Sequence, residues 1–332
     1  MVFETLYQGD RVAALDGDIH ATSQTVSLEG ILLTTAAADK ETGSREASAD
    51  AEVTITDRVD YINLTPGKEY TLKGILMDKE TGDPLKIEGR EVTAEKTFTP
   101  READGHVELD FTFDGRGLGG RSVVAFERLY EEEKELAVHT DINDGAQTVD
   151  LKEITLDTTA VDKETGTHES RADADVTITD RVDYTSLTPG KEYTVKGILM
   201  DKETGEALKT DGKKVTAERT FTPKEANGSV DLEFTFDGRQ LGQGESKDQQ
   251  GDSKDQPGDS EVQPGGRSIV VFETLYEDDL ELAVHADIED ADQTVDVIPP
   301  EPPVPPVSPE TLEPPITSTT PTPPAKHTAP KT

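Results

Sequence analysis

No cysteine and no tryptophan occur anywhere in the 332 residues. The missing cysteine excludes disulfides, thiolate-ligated zinc and thiol nucleophiles together. Aromatic residues make up only 5% of the chain and hydrophobic residues 32%, so each domain must fold around a modest core beneath a charged surface. Positive charge is also short. Thirty-three Lys and Arg stand against 70 Asp and Glu, a formal net charge of −37 at pH 7. A surface of that sign repels phosphate backbones and anionic lipid, which excludes nucleic acid and membrane as partners. No apolar run reaches the length of a membrane span. The opening MVFETLYQGD has neither the basic n-region nor the apolar core of a secretion signal.

What is present is repetition. VTITDRVDYINLTPGKEYTLKGILMDKETGDPLK at 53–86 returns as VTITDRVDYTSLTPGKEYTVKGILMDKETGEALK at 176–209. Both copies end alike, in LAVHTDINDGAQTVD and LAVHADIEDADQTVD. The repeats therefore span 28–150 and 151–297. The opening VFETLY matches the VVFETLY of 270–276, so residues 1–27 read as the C-terminal remnant of a truncated third repeat, expected to be poorly ordered without partner strands. A polar tract of roughly heptad spacing (GESKDQQ, GDSKDQP, GDSEVQP) interrupts the second copy at 243–265 and predicts a disordered, solvated loop. Residues 298–332 are rich in Pro and Thr and predict an extended, disordered spacer.

Within each copy, short segments such as EVTITDRV, KEYTLKGIL and RSVVAFERLY alternate apolar with polar residues and are rich in Val, Thr, Phe and Tyr. Turn chemistry separates them: TPGK, DKETGD, ADGH. Seven or eight strands in some 120 residues predict an all-β fold, tandem immunoglobulin-like antiparallel β-sandwiches with a Pro-rich C-terminal tail.

Of the six histidines, only His139 and His285 occupy equivalent places, each eight residues before a glutamine, Gln147 or Gln293. With them recur a TTA near the start of each repeat, an Asp in ITDRVDY (Asp57, Asp180), and a Glu in the most apolar strand (Glu127, Glu273). Each has an ordinary reading: strand threonines for Thr35 and Thr159, and turn-facing carboxylates for Asp57 and Asp180. A glutamate inside V-V-A-F-E is less easily dismissed, since a charge there must pair, protonate or face water. The H-x-D-x-x-D run does not fit a calcium loop, and neither a metal nor a cofactor is expected.

The order TTA…D-x-V-x-Y…L-x-P-G-K-x-Y-T…V-V-F-E…H-x-D-x-x-D-x-x-Q-T resembles that of the Thr–Gln ester-bond domains, or VaFE repeats, of Gram-positive surface adhesins. The resemblance covers both full repeats and the remnant. It implies that the second Thr of TTA attacks the Gln carboxamide, forming an ester and releasing ammonia, so that Thr35 joins Gln147 and Thr159 joins Gln293. It casts His139 and His285 as the bases, with Asp57–Glu127 and Asp180–Glu273 as buried acid pairs sharing a proton. Asp144 and Asp290 would orient the histidines. The remnant keeps Glu4, Asp18 and Gln24 but has Asp16 in place of the histidine, and no bond is expected there.

The function so implied is that of a stalk in a cell-wall-anchored adhesin, extracellular and monomeric, crosslinked by autocatalysis and not a turnover enzyme. The terminal APKT at 329–332 resembles a truncated sortase signal and would tie the chain to peptidoglycan. A host ligand would be bound by a domain upstream. Other readings are a ligand-binding adhesin module, a sandwich with Lys–Asn isopeptide bonds, and a hydrolase built on Asp, Glu and His. Against the isopeptide, no Asn recurs at matching strand positions, Asn143 for example facing Glu289.

Overall fold

A computed structural model of the chain describes residues 4–16, 30–241 and 266–299. The 243–265 tract, the Pro-rich segment from 300 onward and Asp18 and Gln24 of the remnant lie outside the described residues. The remnant contributes strands β1 (Glu4–Gln8) and β2 (Arg11–Asp16), an antiparallel hairpin with Glu4 opposite Asp16. Where poor order was expected, residues 4–16 keep paired strands; the apolar Leu6, Tyr7 and Val12 on them are exposed.

Repeat 1 is built from β3 (Leu32–Asp39), β4 (Glu46–Ser48), β5 (Val53–Ile62), β6 (Tyr70–Asp78), β7 (Lys86–Ile87), β8 (Arg90–Glu91), β9 (Thr93–Phe98), β10 (Gly105–Phe113), β11 (Ser122–Glu131), β12 (Lys134–His139) and β13 (Thr148–Lys152). Repeat 2 reproduces them as β14 (Thr155–Asp162), β15 (Glu169–Arg171), β16 (Val176–Thr185), β17 (Tyr193–Asp201), β18 (Lys209–Thr210), β19 (Lys213–Lys214), β20 (Thr216–Phe221), β21 (Gly228–Phe236), β22 (Arg267–Glu277), β23 (Leu280–His285) and β24 (Thr294–Ile298). The chain is all-β, two tandem sandwiches, as the alternation predicts. The strand count exceeds the expected seven or eight because short elements such as β7 and β8 carry no pattern a sequence reading can resolve.

In repeat 1 a three-stranded sheet, β10-β5-β3, packs on a larger one ordered β4-β13-β11-β6-β9, with β12 also on β11. Ile55, Val59, Leu109 and Phe111 from the small sheet meet Leu72, Leu76, Val123, Leu129 and Val149 from the large one. Repeat 2 has an equivalent core of its own. One pairing departs from the antiparallel expectation: β13 runs parallel to β4, and β24 parallel to β15. The first strand hugs the small sheet and the last strand closes the large one, so the two ends of a repeat lie in opposite layers.

Turn chemistry recurs with the repeats. In each DKETG the Asp caps the turn, Asp39 accepting from the Thr42 N–H at 2.9 Å and Asp78 from the Thr81 N–H at 3.0 Å. The closing Gly43 and Gly82 take φ of 67° and 73°, a conformation that costs glycine little.

Candidate functional site

Strand parity brings the site together. On β5 the buried positions are Val53, Ile55, Asp57, Val59 and Tyr61, so Asp57 occupies a core position in mid-strand and not the turn-facing place an isolated reading favours. Glu127 shares its face of β11 with Val123, Ala125 and Leu129. Thr35 alternates with Leu33 and Ala37 on β3. Asp57, Glu127 and Gln147 are each 0% exposed and Thr35 3%.

A gap in the large sheet supplies the remaining groups. Along one edge β11 pairs first with β13, through Ser122–Val124, and then with β12, through Glu127–Glu131. Between the two partners the chain loops out through 140–147. His139 ends β12 directly opposite Glu127, and Gln147 enters the sheet two residues upstream of Glu127, its carbonyl accepting from Ala125 N–H at 3.1 Å. The loop is tied across to the small sheet by the Ala37 N–H donating to the Ala146 carbonyl at 2.9 Å.

The Gln147 amide donates to Glu127 Oε2 at 2.5 Å, and Gln293 to Glu273 Oε2 at 2.7 Å. In repeat 2 a threonine hydroxyl completes the arrangement: Thr158 Oγ1 lies 3.3 Å from His285 Nδ1, within 3.5 Å of Glu273 Oε2 and in contact with Gln293 Nε2. His285 Nε2 is 3.0 Å from Asp290 Oδ2, as His139 Nε2 is from Asp144 Oδ2. The aspartates are themselves fixed, the Ala146 N–H donating to Asp144 at 2.7 Å and the Asp292 N–H to Asp290 at 2.8 Å.

The threonine of repeat 2 corrects the sequence reading. Thr159 faces solvent beside Arg181, while Thr158, 2% exposed, sits against Gln293. Repeat 2 reads DTTAVD where repeat 1 reads TTAAAD, so the TTA letters are displaced by one residue relative to the strand. In a strand, one residue is the difference between faces. The interval to the aspartate would have revealed it: Asp57 follows Thr35 by 22 residues, and Asp180 follows Thr158, not Thr159, by 22.

The electrostatics suit a shared proton. Burial first, and then the Asp57 carboxyl beside it, push Glu127 far above the usual carboxylate range; Glu273 is raised by burial and Asp180. Asp57 and Asp180 are raised by burial as well, though less. Both oxygens of Asp57, Glu127 Oε1 and Gln147 Oε1 accept no hydrogen bond from any other group among the described residues, which a proton held between the carboxyls would remedy. The Thr35 hydroxyl is likewise buried and free of other partners among those residues.

Each sandwich thus holds a buried Thr, Gln and acid pair beside a half-buried His. The T-Q ester bond containing domain profile matches residues 31–151 and again 154–297. The chain belongs to this family, with two copies in tandem. A comparison with curated protein sequences returns no match. Among solved structures, the chain is similar to a bacterial adhesin from Mobiluncus mulieris containing intramolecular disulfide, isopeptide and ester bond cross-links, at 14% identity and TM-score 0.32, over 74% of this chain and 81% of that one. It is also similar to a 1.5-MDa bacterial ice-binding adhesin, at 14% identity and TM-score 0.33, over 82% of this chain and 66% of the other.

Proposed function

We propose that each repeat crosslinks itself once by an ester between Thr35 and Gln147, and between Thr158 and Gln293, and that the tandem serves as a load-bearing stalk on a bacterial surface. The observation that carries the reading is the buried cluster of Thr158, Gln293, Glu273 and Asp180, with half-buried His285 at its edge. A threonine hydroxyl is a weak nucleophile until a base takes its proton. His285 Nδ1 is within reach of that proton, and its Nε2–H donates to Asp290, which holds the ring in this tautomer. Attack forms the Thr Oγ1–Gln Cδ bond. The protonated acid pair donates to the amide as charge develops there, a half-turn of the carboxamide bringing either its oxygen or its nitrogen to Glu273. Collapse breaks Cδ–Nε2, and ammonia leaves with the proton the hydroxyl gave up. The cluster is closed to outside substrates, Asp180 and Gln293 being fully buried, which favours a single self-reaction over turnover and over a hydrolase.

Position supports the mechanical role. The proposed partners lie on the first large strand and just before the last strand of each repeat, so an ester would carry tension from end to end and bypass the fold between. A bond that needs no cysteine suits a cysteine-free chain. Surface display and attachment to peptidoglycan through residues 329–332 belong to the same reading, the latter resting on the APKT motif alone.

Intact mass tests the chemistry. The wild type is expected to be lighter than its sequence by two ammonias, and Thr35→Ala and Thr158→Ala by one each. A folded wild type at full sequence mass would sink the proposal.

A further inference from the structure

The two repeats meet through a charged socket. Asp50, just past β4 at the C-terminal end of repeat 1, is buried at 3% exposure against the N-terminal end of repeat 2. Its carboxylate accepts from Lys191 Nζ at 2.9 Å and from Thr188 Oγ1 at 3.1 Å. Lys191 also reaches Glu277 at 2.9 Å, with Glu41 farther off at 3.9 Å. Glu277 in turn accepts from the Ala51 N–H at 3.1 Å. Repeat 1 thus inserts Asp50 and the neighbouring amide into a fork formed by Thr188, Lys191 and Glu277.

Repeat 1 carries the same fork at its own N-terminal end. Thr65, Lys68 and Glu131 stand where repeat 2 has Thr188, Lys191 and Glu277. The backbone is set in the same way, the Tyr70 hydroxyl accepting from the Thr65 N–H at 3.0 Å just as Tyr193 accepts from the Thr188 N–H at 3.0 Å. Lys68 and Glu131 are already paired, at 2.5 Å. What differs is the occupant: the Lys68 side chain is 52% exposed against 20% for Lys191, and Thr65 is exposed where Thr188 is buried. At the other end, Asp173 and Ala174 of repeat 2 stand in the places of Asp50 and Ala51, and Asp173 is exposed.

We infer that the face bearing Thr65, Lys68 and Glu131 is a docking site for the C-terminal face of another T-Q repeat, one presenting an aspartate and a following backbone N–H as Asp50 and Ala51 do. The occupied fork inside this chain shows the partner's chemistry: one carboxylate between a lysine and a threonine hydroxyl, one amide on the glutamate. A neutral or basic residue in the Asp50 place would deny Lys68 the second carboxylate that Lys191 has, leaving it with Glu131 alone, so the fork also selects which repeats stack. This docking is independent of ester formation, since none of its groups belongs to the Thr–Gln clusters.

The test uses spin-label distances, which a cysteine-free chain allows without background. Labels on Glu108→Cys and Asp231→Cys report the internal junction of the full chain. A single narrow distance is expected, lost to a broad distribution in Lys191→Met. For the open fork, a copy of residues 31–153 is joined ahead of Ile31, which reproduces the native step from Glu153 to Ile154. Labels across the new junction should again give a narrow distance, broadened by Lys68→Met or by Asp50→Asn in the added copy and untouched by Lys191→Met. A new junction that is broad before any substitution, or either junction indifferent to its own lysine, would overturn the proposal. Intact mass of the same variants keeps a failure of docking distinguishable from a failure of the ester.

Discussion

In the ester proposed for repeat 2, the side of β14 selects Thr158 over Thr159. Thr158→Ala should abolish the loss of one ammonia, whereas the adjacent Thr159→Ala should leave the mass deficit at two, both read by intact mass spectrometry. The acid pairs make a second prediction, about pH. In the unlinked Thr35→Ala/Thr158→Ala chain, the folded state holds protons on Glu127 and Glu273 that the unfolded chain releases near the ordinary value of 4.5. Below that value both states are protonated and the pairs impose no penalty. As pH rises toward the raised folded values, the unfolded chain binds fewer protons than the folded one and stability falls. Carboxylates held below their usual range, such as Asp110 beside Lys40, are ionised in both states above about pH 5 and do not mask the trend. Asp50, pushed up to about 6 by burial, adds to it at the acid end. Denaturant midpoints of the unlinked chain should therefore decline from pH 5 to 9, and Glu127→Gln with Glu273→Gln should flatten the slope; a midpoint that rises with pH would contradict the shared proton.

At the scale of strands, the site depends on how closely β6 passes the small sheet. Gly74 lies opposite Glu127, and a Cβ there would come within 2.5 Å of Phe111 Cζ and 2.9 Å of Leu109 Cδ1. Gly197 is crowded by Phe234 and Leu232 in the same way. Gly74→Ala should cost about 1–3 kcal/mol by overpacking and slow crosslinking in repeat 1 alone, visible as a mixed population in intact mass at early times. Strand alternation made the sandwich legible from sequence, because Val, Ile and Tyr at every second place of VTITDRVDY leave little choice of face. The same alternation would have placed Asp57 inward, had the strand been followed through to Ile62. It also explains the slip at Thr159, where matching letters stood in for matching register. The gap between β12 and β13 had no such signal: it arises from two partners sharing one edge of β11, a tertiary arrangement that no local pattern encodes.

For the molecule as a whole, the consequence is mechanical and thermodynamic. The loop from Thr35 to Gln147 encloses 113 residues. Under force, Thr35→Ala should release a contour of roughly 370–400 Å at about 3.3–3.6 Å per residue, absent from the linked chain in single-molecule stretching. Loss of either closure should lower stability by about 5 kcal/mol on the chain-entropy estimate made for disulfides, read as a drop in denaturant midpoint. The Asp50–Lys191–Glu277 junction was invisible in the sequence for a plain reason: its members are far apart in the chain, and each resembles any other surface charge of a very acidic protein. Finally, the glutamine stands just before the last strand of its repeat. Until that strand has been delivered and the sheet has closed around it, the threonine has nothing to react with, so the newly made polypeptide remains a linear thread. On the proposed function, such a thread would pass through a narrow export channel, and the ester would set only on the far side.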